Sequence, residues 1–416
     1  MGDRTERDAI ELLGGLELEH ADDRPIALEV IRGARALRGQ LRDEQAESER
    51  RGTYSVAVHE RMREAGLYRI TAPRAYGGLQ LPLPVLTKTI IEVAQGDPGS
   101  GWCYALAAGH QITMASYWPE PVQAAAFGEH GEFLAPHNFA WGGSAERVAG
   151  GWLIDGTFPF GSGAPYSTHF LLTITARDGD RMRPLTVVLE RAEYEVLDDW
   201  SGAFGMKASG SNGVRVPALI VPDARAVVDG FDDPHALRTP GSLLHDEPGY
   251  FGRTTAYHPA GLAAVAVGTG RAALDEFERI IAGSASKNAP GLRKIDDPVY
   301  REVYGTALAA VDAAEALALA AAGAYVRAGH RAAAHAEALS VADEVRLANV
   351  SRTAGRLVAE AVDELFLHAG TLTVSDGSRM QRYFRDISML RTHGRQLPRS
   401  SAVQLAGAVL DQEPSS

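Results

Sequence analysis

The sequence predicts a mainly α-helical protein with a small β domain in its centre. Apolar residues recur at a spacing near 3.6 in the first and last parts of the chain. Between about Phe133 and Val221 the pattern changes to short runs of β-branched and aromatic residues. With 416 residues the chain exceeds the size of a single core. We therefore predict an N-terminal helical domain at residues 1–130, a middle β domain at 131–235 and a C-terminal helical bundle at 236–416.

The N-terminal domain is helical from about Pro25 to Glu120, in stretches rich in Ala, Leu and Arg such as residues 27–44. One break stands out, TAPRAYGG at residues 71–78, whose proline and paired glycines favour a loop.

The middle domain is predicted from four runs that are bounded by Gly and Asp residues. They are Trp152–Phe158, Phe170–Ala176, Pro184–Leu189 and Val214–Val221, and together they indicate a small antiparallel sheet. The next segment, residues 223–259, is rich in Pro, Gly and Asp, so we predict a long connection that carries substrate contacts.

The C-terminal part contains three long helical stretches, near residues 261–282, 298–328 and 340–369, and a last one from about Pro398. These predict a bundle of about four helices. Such bundles often bury their outer faces against copies of themselves, so we expect a homo-oligomer.

Composition and charge exclude several classes of protein. The formal net charge of -12 disfavours wide contact with nucleic acid. The longest apolar stretches are too short or too interrupted by charge to predict a membrane span, and the first residues lack a signal-peptide core. Cys103 stands alone, which predicts a core residue in a protein of the reducing cytoplasm.

Several common motifs are absent from the sequence. No GxGxxG follows a predicted strand, no GxxxxGK[ST] occurs, and the 13 histidines form no HExxH, so we expect no metal site. Redox chemistry would therefore need a cofactor that is held in another way.

Three segments resemble motifs of the acyl-CoA dehydrogenase family. They are AGLYRITAPRAYGG (65–78), GMKASGSNGV (205–214) and MQRYFRDISMLRTH (380–393). The resemblance implies that family's fold, in which a β-barrel-like middle domain lies between a helical domain and a four-helix bundle.

One residue of that family's pattern is missing. In the dehydrogenases the catalytic Glu usually lies eight residues after the Arg-Asp pair, but the segment after Arg385-Asp386 reads ISMLRTHGR and contains no carboxylate. A general base must lie where the proton is. The loss argues against ordinary acyl-CoA dehydrogenation, although Glu276 and Glu278 on a neighbouring helix remain alternatives.

Three further segments resemble the branch of this fold that hydroxylates with reduced flavin and O2. They are PGSGWCYALAAGHQ (98–111), GTFPFGSG (156–163) and the Thr392-His393 pair. That branch includes the oxygenase components for 4-hydroxyphenylacetate and for a phenolic steroid, and dibenzothiophene monooxygenase. It implies reduced FMN or FADH2, a flavin C4a-hydroperoxide, a separate NAD(P)H-dependent flavin reductase and a homotetramer.

The resemblance assigns three candidate catalytic residues. His110 is the candidate base toward a phenol, Ser162 the hydroxyl beside flavin N5, and His393 the residue that positions the peroxide. Each also has a structural interpretation. His110 could be a buried helix histidine bonded to the backbone, Ser162 could cap a chain reversal, and His393 could be an exposed loop residue.

Further candidates for flavin contact follow from their place in segments that resemble the family. For some of them a purely structural role is a reasonable alternative. Trp141 could face the flavin or belong to the core, and the two serines of the ASGSNG turn could serve turn geometry alone. The candidates are Asn138, Trp141, Ser144, Phe160, Ser162, Ser209 and Ser211.

Taken together, the sequence predicts a flavin-dependent monooxygenase that oxygenates an aromatic or polyketide-like small molecule, in natural-product or catabolic metabolism. Three alternatives stay open at this point. They are an acyl-CoA dehydrogenase or related flavin oxidase, an N-oxygenase of an amino sugar, and a non-catalytic binding scaffold.

Overall fold

The computed structural model describes Leu16, Leu18 and residues 22–139, 142–231, 237–286, 289–393 and 398–410. Helices form the first part of the described chain, eight strands the middle and helices the last part. This order confirms the predicted fold class, while the exact domain boundaries stay a prediction.

In the described part of the chain, eight α-helices precede the sheet. The helix α6 begins at Pro98. At this first position a backbone N–H would have no partner within the helix, so a proline costs no hydrogen bond, and the side chain of Asp97 caps the helix by accepting from the Ser100 backbone N–H. The eight are α1 (Asp23–Ala36), α2 (Arg38–Asp43), α3 (Gln45–Arg51), α4 (Val56–Glu64), α5 (Leu83–Gly96), α6 (Pro98–Gly109), α7 (Gln111–Tyr117) and α8 (Glu120–Phe127).

The sheet contains eight strands in the order β6-β7-β3-β2-β4-β5-β8, with β1 paired to β4. All four predicted runs fall inside strands. The strands are β1 (His137–Phe139), β2 (Gly143–Val148), β3 (Gly151–Gly161), β4 (His169–Asp178), β5 (Arg181–Glu190), β6 (Glu195–Val196), β7 (Asn212–Val221) and β8 (Ala226–Val228).

The prediction of a purely antiparallel sheet is wrong, because β1 and β2 both pair with β4 in parallel. The β2–β3 hairpin and the turn at Ala164–Tyr166 reverse the chain twice between β2 and β4. Strands that are separated by two reversals run in the same direction, so the sheet is mixed.

Among the residues that the structure describes after the sheet, one short helix precedes a bundle of five longer ones. The central helix of the bundle is α10, which packs against α5, α11, α12 and α13. The helices are α9 (Pro240–Leu244), α10 (Thr254–Ala282), α11 (Pro298–His335), α12 (Val341–Ala369), α13 (Arg379–Leu390) and α14 (Pro398–Leu410).

The predicted long connection at residues 223–259 is shorter than expected. It contains β8 and α9, and α10 begins at Thr254 and continues through Pro259. A proline inside a helix removes one backbone hydrogen bond. Here Tyr257, Pro259 and Ala260 are buried, so the packing of this first part of α10 outweighs that loss.

Candidate active site

A cavity of about 380 Å³ lies where the N-terminal helices, the sheet and the bundle meet. Its wall is formed by α6, β1, the end of β3, the turn before β7, α10 and the residues that follow α13. This volume is within the range of small-molecule sites.

One face of α6 runs along the length of the cavity. Trp102, Leu106 and His110 all line it, and a spacing of four residues places them on the same side of the helix. Eight residues of helix span about 12 Å, so Trp102 and His110 mark two separate ends. We call these the hydroxyl end and the imidazole end.

The hydroxyl end contains a chain of buried side-chain hydrogen bonds. Trp102 Nε1 donates to Ser162 Oγ at 2.9 Å, Ser162 Oγ lies 2.8 Å from Ser211 Oγ, and Ser211 Oγ lies 2.6 Å from Ser209 Oγ. The structure thus brings together three of the predicted serines. Trp102 was not predicted, although it lies in the PGSGW segment that carries the resemblance.

Two aromatic side chains border this end. The ring of Phe160 is 66% exposed although it lies in the cavity wall, and it meets the ring of Trp200 edge-on at 6.2 Å. Phe160 also has a φ of 63°, which is strained for a residue with a side chain. A flat ring system bound in the cavity would cover this exposed face.

A second strained residue, Met206, lies in the wall with a φ of 50°. Its backbone N–H donates to Asp386 Oδ1 of α13 at 2.6 Å, which holds the conformation. Burial raises the pKa of Asp386 to about 7, and the nearby carboxylate of Asp97 adds to the shift. The bundle is therefore connected to the cavity wall through a buried carboxyl.

His393 lies directly after α13 and lines the cavity. Its ring is 5.4 Å from the ring of Trp102 and meets it edge-on. The structure therefore brings His393 to the hydroxyl end, beside Ser162.

His110 is 4% exposed, and its Nδ1 lies 2.7 Å from the carbonyl oxygen of Ala135. A carbonyl oxygen can only accept, so Nδ1 donates this hydrogen bond. The backbone bond that the structural interpretation of His110 expects is therefore present, and its role as a base stays a prediction.

Two further histidines, His137 and His258, line the same end of the cavity and were not predicted as site residues. Neither histidine lies in a segment that carries the resemblance, and His258 falls in the segment that was predicted as a connection. No group of three or more His, Cys, Asp or Glu in the described part of the chain is arranged to hold a metal ion.

Two predicted flavin contacts, Asn138 and Ser144, do not line this cavity. Asn138 is buried, but its Nδ2 donates to the Pro159 carbonyl and so joins β1 to β3. Ser144 is exposed on β2 opposite Asp155. Trp141 lies outside the described residues. The flavin contacts as a set stay a prediction.

The two carboxylates considered for a displaced dehydrogenase base do not line the cavity. Glu276 is bonded to Arg279 on the same helix at 2.5 Å. Glu278 accepts from the hydroxyl of Tyr304 at 3.4 Å. Neither is therefore placed to take a proton from a ligand in this site.

The cavity suits the ring system of a flavin at its hydroxyl end. Ser162 Oγ can accept from a ring N–H or donate to a ring nitrogen, because its hydroxyl takes part in a chain of exchangeable partners. The exposed ring of Phe160 and the indole of Trp102 supply apolar surface beside it.

Comparison with known proteins identifies relatives that cover most of the chain. A pigment production hydroxylase of a Rhodococcus species is 26% identical and covers 79% of this chain and 83% of its own. The oxygenase component of p-hydroxyphenylacetate 3-hydroxylase from Acinetobacter baumannii is 25% identical and covers 80% of this chain and 77% of its own.

Solved structures share the fold over nearly the whole chain. The HsaA monooxygenase from Mycobacterium tuberculosis has a TM-score of 0.83 at 21% identity and covers 94% of this chain and 99% of its own. XiaF from a Streptomyces species, solved with FADH2 and glycerol, has a TM-score of 0.84 at 22% identity and covers 95% of this chain and 98% of its own.

Family models account for both helical parts. The model of the acyl-CoA dehydrogenase N-terminal domain matches residues 32–124, and that of the acyl-CoA dehydrogenase C-terminal domain matches residues 260–395. Together they cover more than half of the 416 residues. With the shared fold and the motifs around Ser162 and Asp386, they show that the chain belongs to the acyl-CoA dehydrogenase family.

Proposed function

We propose that this chain is the oxygenase component of a two-component flavin-dependent monooxygenase. It takes reduced FMN or FADH2 from a separate NAD(P)H-dependent reductase and uses O2 to hydroxylate an aromatic small molecule. The relatives named above are hydroxylases, and one further relative, from a Rhizobium species, is named as an FADH2-dependent resorcinol hydroxylase, oxygenase component.

The observation that carries the proposal is the pair of polar ends in one cavity. Ser162 and His393 lie at one end and His110 at the other, about 12 Å away along α6. A dehydrogenase needs a carboxylate or another base over the flavin to abstract an α-proton. Among the described wall residues, the groups that can take a proton at neutral pH are histidines.

The residues of the chain act around the bound flavin, which supplies the oxygen activation when it is reduced. Ser162 hydrogen-bonds the ring edge, and Trp102 keeps the Ser162 hydroxyl in place. Phe160 and Trp200 cover the ring and exclude water. His110, which lines the other end of the cavity, is the group that would receive a proton from the substrate.

A stopped-flow experiment tests this function. The protein with reduced FMN is mixed with oxygenated buffer, and the return of the oxidised-flavin absorbance is followed. We expect the protein to delay that return strongly compared with free FMN. Ser162→Ala should shorten the delay by about tenfold, as the loss of one hydrogen bond of about 1.4 kcal/mol implies.

Ser167→Ala is the matched control. Ser167 is also buried, but its hydroxyl bonds the Ala164 carbonyl and the Tyr194 hydroxyl and does not line the cavity. It should leave the delay unchanged. Reoxidation as fast as that of free FMN, or tightly held FAD that is reduced by an acyl-CoA, would reject the monooxygenase and favour a dehydrogenase.

We also propose that the protein works as a homotetramer in the cytoplasm. The apolar outer face of α11, together with the neighbouring groove against α12, supports self-association. By length and composition α11 could cross a membrane, but it packs against α10 and α12, so the bundle is the better environment for it.

A further inference from the structure

Two buried carboxyl groups support the hydroxyl end of the cavity without lining it. Asp97 is 1% exposed and Asp386 is 2% exposed. Asp97 lies directly before α6 and Asp386 lies in α13, so one comes from the N-terminal helices and the other from the bundle. Hydrogen bonds connect each of them to residues of the cavity wall.

Asp97 holds the start of α6, from which Trp102 reaches Ser162. Asp97 Oδ2 accepts from the Ser100 backbone N–H at 2.8 Å and from Ser100 Oγ at 2.6 Å, so one carboxyl oxygen caps the helix twice. Trp102 lies in the same helix and donates from Nε1 to Ser162 Oγ. The position of one partner of Ser162 therefore depends on Asp97.

Asp386 holds the turn that contains Ser209, the last member of the hydroxyl chain. Asp386 Oδ1 accepts from the Met206 N–H at 2.6 Å. The Met206 carbonyl accepts in turn from the Ser209 N–H at 3.0 Å and from Trp200 Nε1 at 3.3 Å. One bond to α13 therefore supports both the far end of the hydroxyl chain and an indole of the cavity wall.

The turn at residues 205–209 is in close contact with both helices. A side-chain carbon at Gly205 would lie 2.3 Å from the Arg385 carbonyl oxygen, so α13 lies directly on the turn. A side-chain carbon at Gly99 would lie 2.8 Å from Ala208 Cβ, so α6 lies directly against it as well. Movement of the turn relative to the two helices is therefore restricted.

The connections from both carboxyls end at Ser162 Oγ. We propose that Asp97 and Asp386 are positioning residues for the flavin site of the proposed monooxygenase, and that the charge on Asp386 controls how firmly the 205–209 turn is held. This inference rests on the proposed function and adds to it two residues and a dependence on pH.

The hydrogen bond from Met206 to Asp386 depends on the charge of the carboxyl. A hydrogen bond to an ionised acceptor is roughly twice as strong as one between neutral groups. Burial raises the pKa of Asp386 to about 7, so its charge changes near neutral pH. As the pH rises through this value, the carboxyl ionises, the bond strengthens and the turn is held more firmly.

The charges around Asp386 offer a second way to change its ionisation. Asp97 raises the pKa of Asp386, and Glu49 of α3 acts in the same direction. Arg382 and Arg385 of α13 both pair with Glu49, at 3.2 and 2.8 Å. Asp97→Asn removes one like charge, so it should move the ionisation of Asp386 to lower pH.

Hydrogen exchange in the 205–209 turn tests the inference on the full chain without flavin. Exchange is measured by mass spectrometry at about pH 6 and about pH 8, and the protection is corrected for the intrinsic effect of pH. We expect about fivefold greater protection at the higher pH, because the charged acceptor strengthens the Met206 bond. The stability of the whole protein should change in the opposite direction, because burial penalises the charge on Asp386.

Variants show which group is responsible for the pH dependence. Asp386→Asn keeps an oxygen that accepts from the Met206 N–H but cannot ionise, so protection should be equal at both pH values. Asp376→Asn, at an exposed position, is the control and should keep the fivefold difference. His393→Gln should keep it too, which separates Asp386 from the imidazole beside Trp102.

Oxidised riboflavin extends the test to the ligand, because it has no phosphate and its ring does not ionise between these pH values. Its binding to the full chain is followed by the quenching of its fluorescence. We expect about threefold tighter binding at the higher pH, since a firmly held turn keeps the hydroxyl chain in place. Asp386→Asn should bind riboflavin equally at both pH values.

Equal protection of the turn at both pH values in the unchanged chain would overturn the inference, and so would a pH dependence that persists in Asp386→Asn. Should that variant fail to fold, Asp97→Asn decides, since an unmoved pH dependence there has the same consequence. Riboflavin binding that is absent or independent of pH would overturn the link to the flavin site. A chain that meets these expectations but does not delay flavin reoxidation would keep the positioning residues and reject the monooxygenase, and the opposite pair of results would do the reverse.

Discussion

At the scale of single residues, the buried carboxyl of Asp386 connects the bundle to the strained Met206 in the cavity wall. Its pKa is raised from 3.8 to about 7, because burial disfavours the charged form. Between these values the folded protein holds a proton that the unfolded chain has released. The stability from the neutral carboxyl is therefore complete at low pH and is lost as the pH rises toward 7.

Asp386→Asn should remove this pH dependence. The amide oxygen still accepts the Met206 N–H but cannot ionise, so the stability of the variant relative to the unchanged protein should rise by roughly 2–4 kcal/mol from about pH 5 to about pH 8. Urea unfolding at both pH values measures this. Asp376→Asn, at an exposed position, is the control. A difference that does not vary with pH would show that Asp386 stays charged.

The sequence identified some of these residues and not others, for reasons that are physical. Ser162, His110 and His393 were found through motifs, because their chemistry needs fixed neighbours along the chain. His137 and His258 are separated by 121 positions, and their rings meet only because β1 and α10 are folded together. The sequence around either histidine therefore does not predict that the two rings lie close together. Cys103 was predicted as a core residue and is buried.

At the scale of elements, the start of α10 is held to α12 by a buried ion pair. Arg253 Nε lies 3.1 Å from Glu344 Oε2, and the two side chains are 2% and 5% exposed. This contact lies five residues before His258 and is where the helix begins. This ion pair is part of the reason why α10 begins before Pro259, although a proline usually marks the start or the end of a helix.

Replacing both partners of this pair should destabilise the protein less than the sum of the two single replacements. Arg253→Met or Glu344→Met alone leaves a buried charge and should cost about 3–5 kcal/mol, and the double variant should cost less than the sum. A double-mutant cycle in urea measures the coupling. The exposed pair Asp343 and Arg346 on α12 is the control, for which about 0.5 kcal/mol or less is expected. Additive losses at Arg253 and Glu344 would contradict this account.

The helix and strand types were predictable where the periodicity is strong, as in β3, β4 and α12. The start of α10 was not, because a sequence pattern shows the helix-breaking proline but not the packing that compensates for it. Parallel pairing of β1 and β2 with β4 was missed for a related reason. The relative direction of two strands depends on the number of chain reversals between them. The residue pattern within a single strand gives no information on that number.

At the scale of the whole molecule, the order of the helical and β units can be predicted from the spacing of apolar residues along the sequence. The contacts between these units cannot be predicted from that spacing. The bond from Met206 to Asp386 joins residues 180 positions apart. Arg385 donates to the Phe204 carbonyl in the same contact, at 2.9 Å. Contacts of this kind close the cavity, and they depend on the final packing of the bundle on the sheet.

The outer face of the bundle leads to a prediction about assembly. In α11 an apolar 18-residue window is only 33% buried, and the groove between α11 and α12 is lined by apolar groups that include Val303, Ala310 and Leu357, with Glu302, Glu360 and Glu364 beside them. Apolar patches of this kind usually mark an interface between subunits. We expect light scattering after size exclusion to give about four times the chain mass of 44.4 kDa.

Leu357→Glu should weaken this assembly, because it places a charge in the groove without a partner. Loss of the tetramer at micromolar concentration, with the helical circular dichroism unchanged, is the expected result. Arg50→Glu on α3 changes charge at a residue that is 72% exposed and far along the chain from the groove, so the tetramer should persist. A monomeric unchanged protein, or one that binds lipid vesicles through α11, would contradict the assignment of this face to copies of the chain.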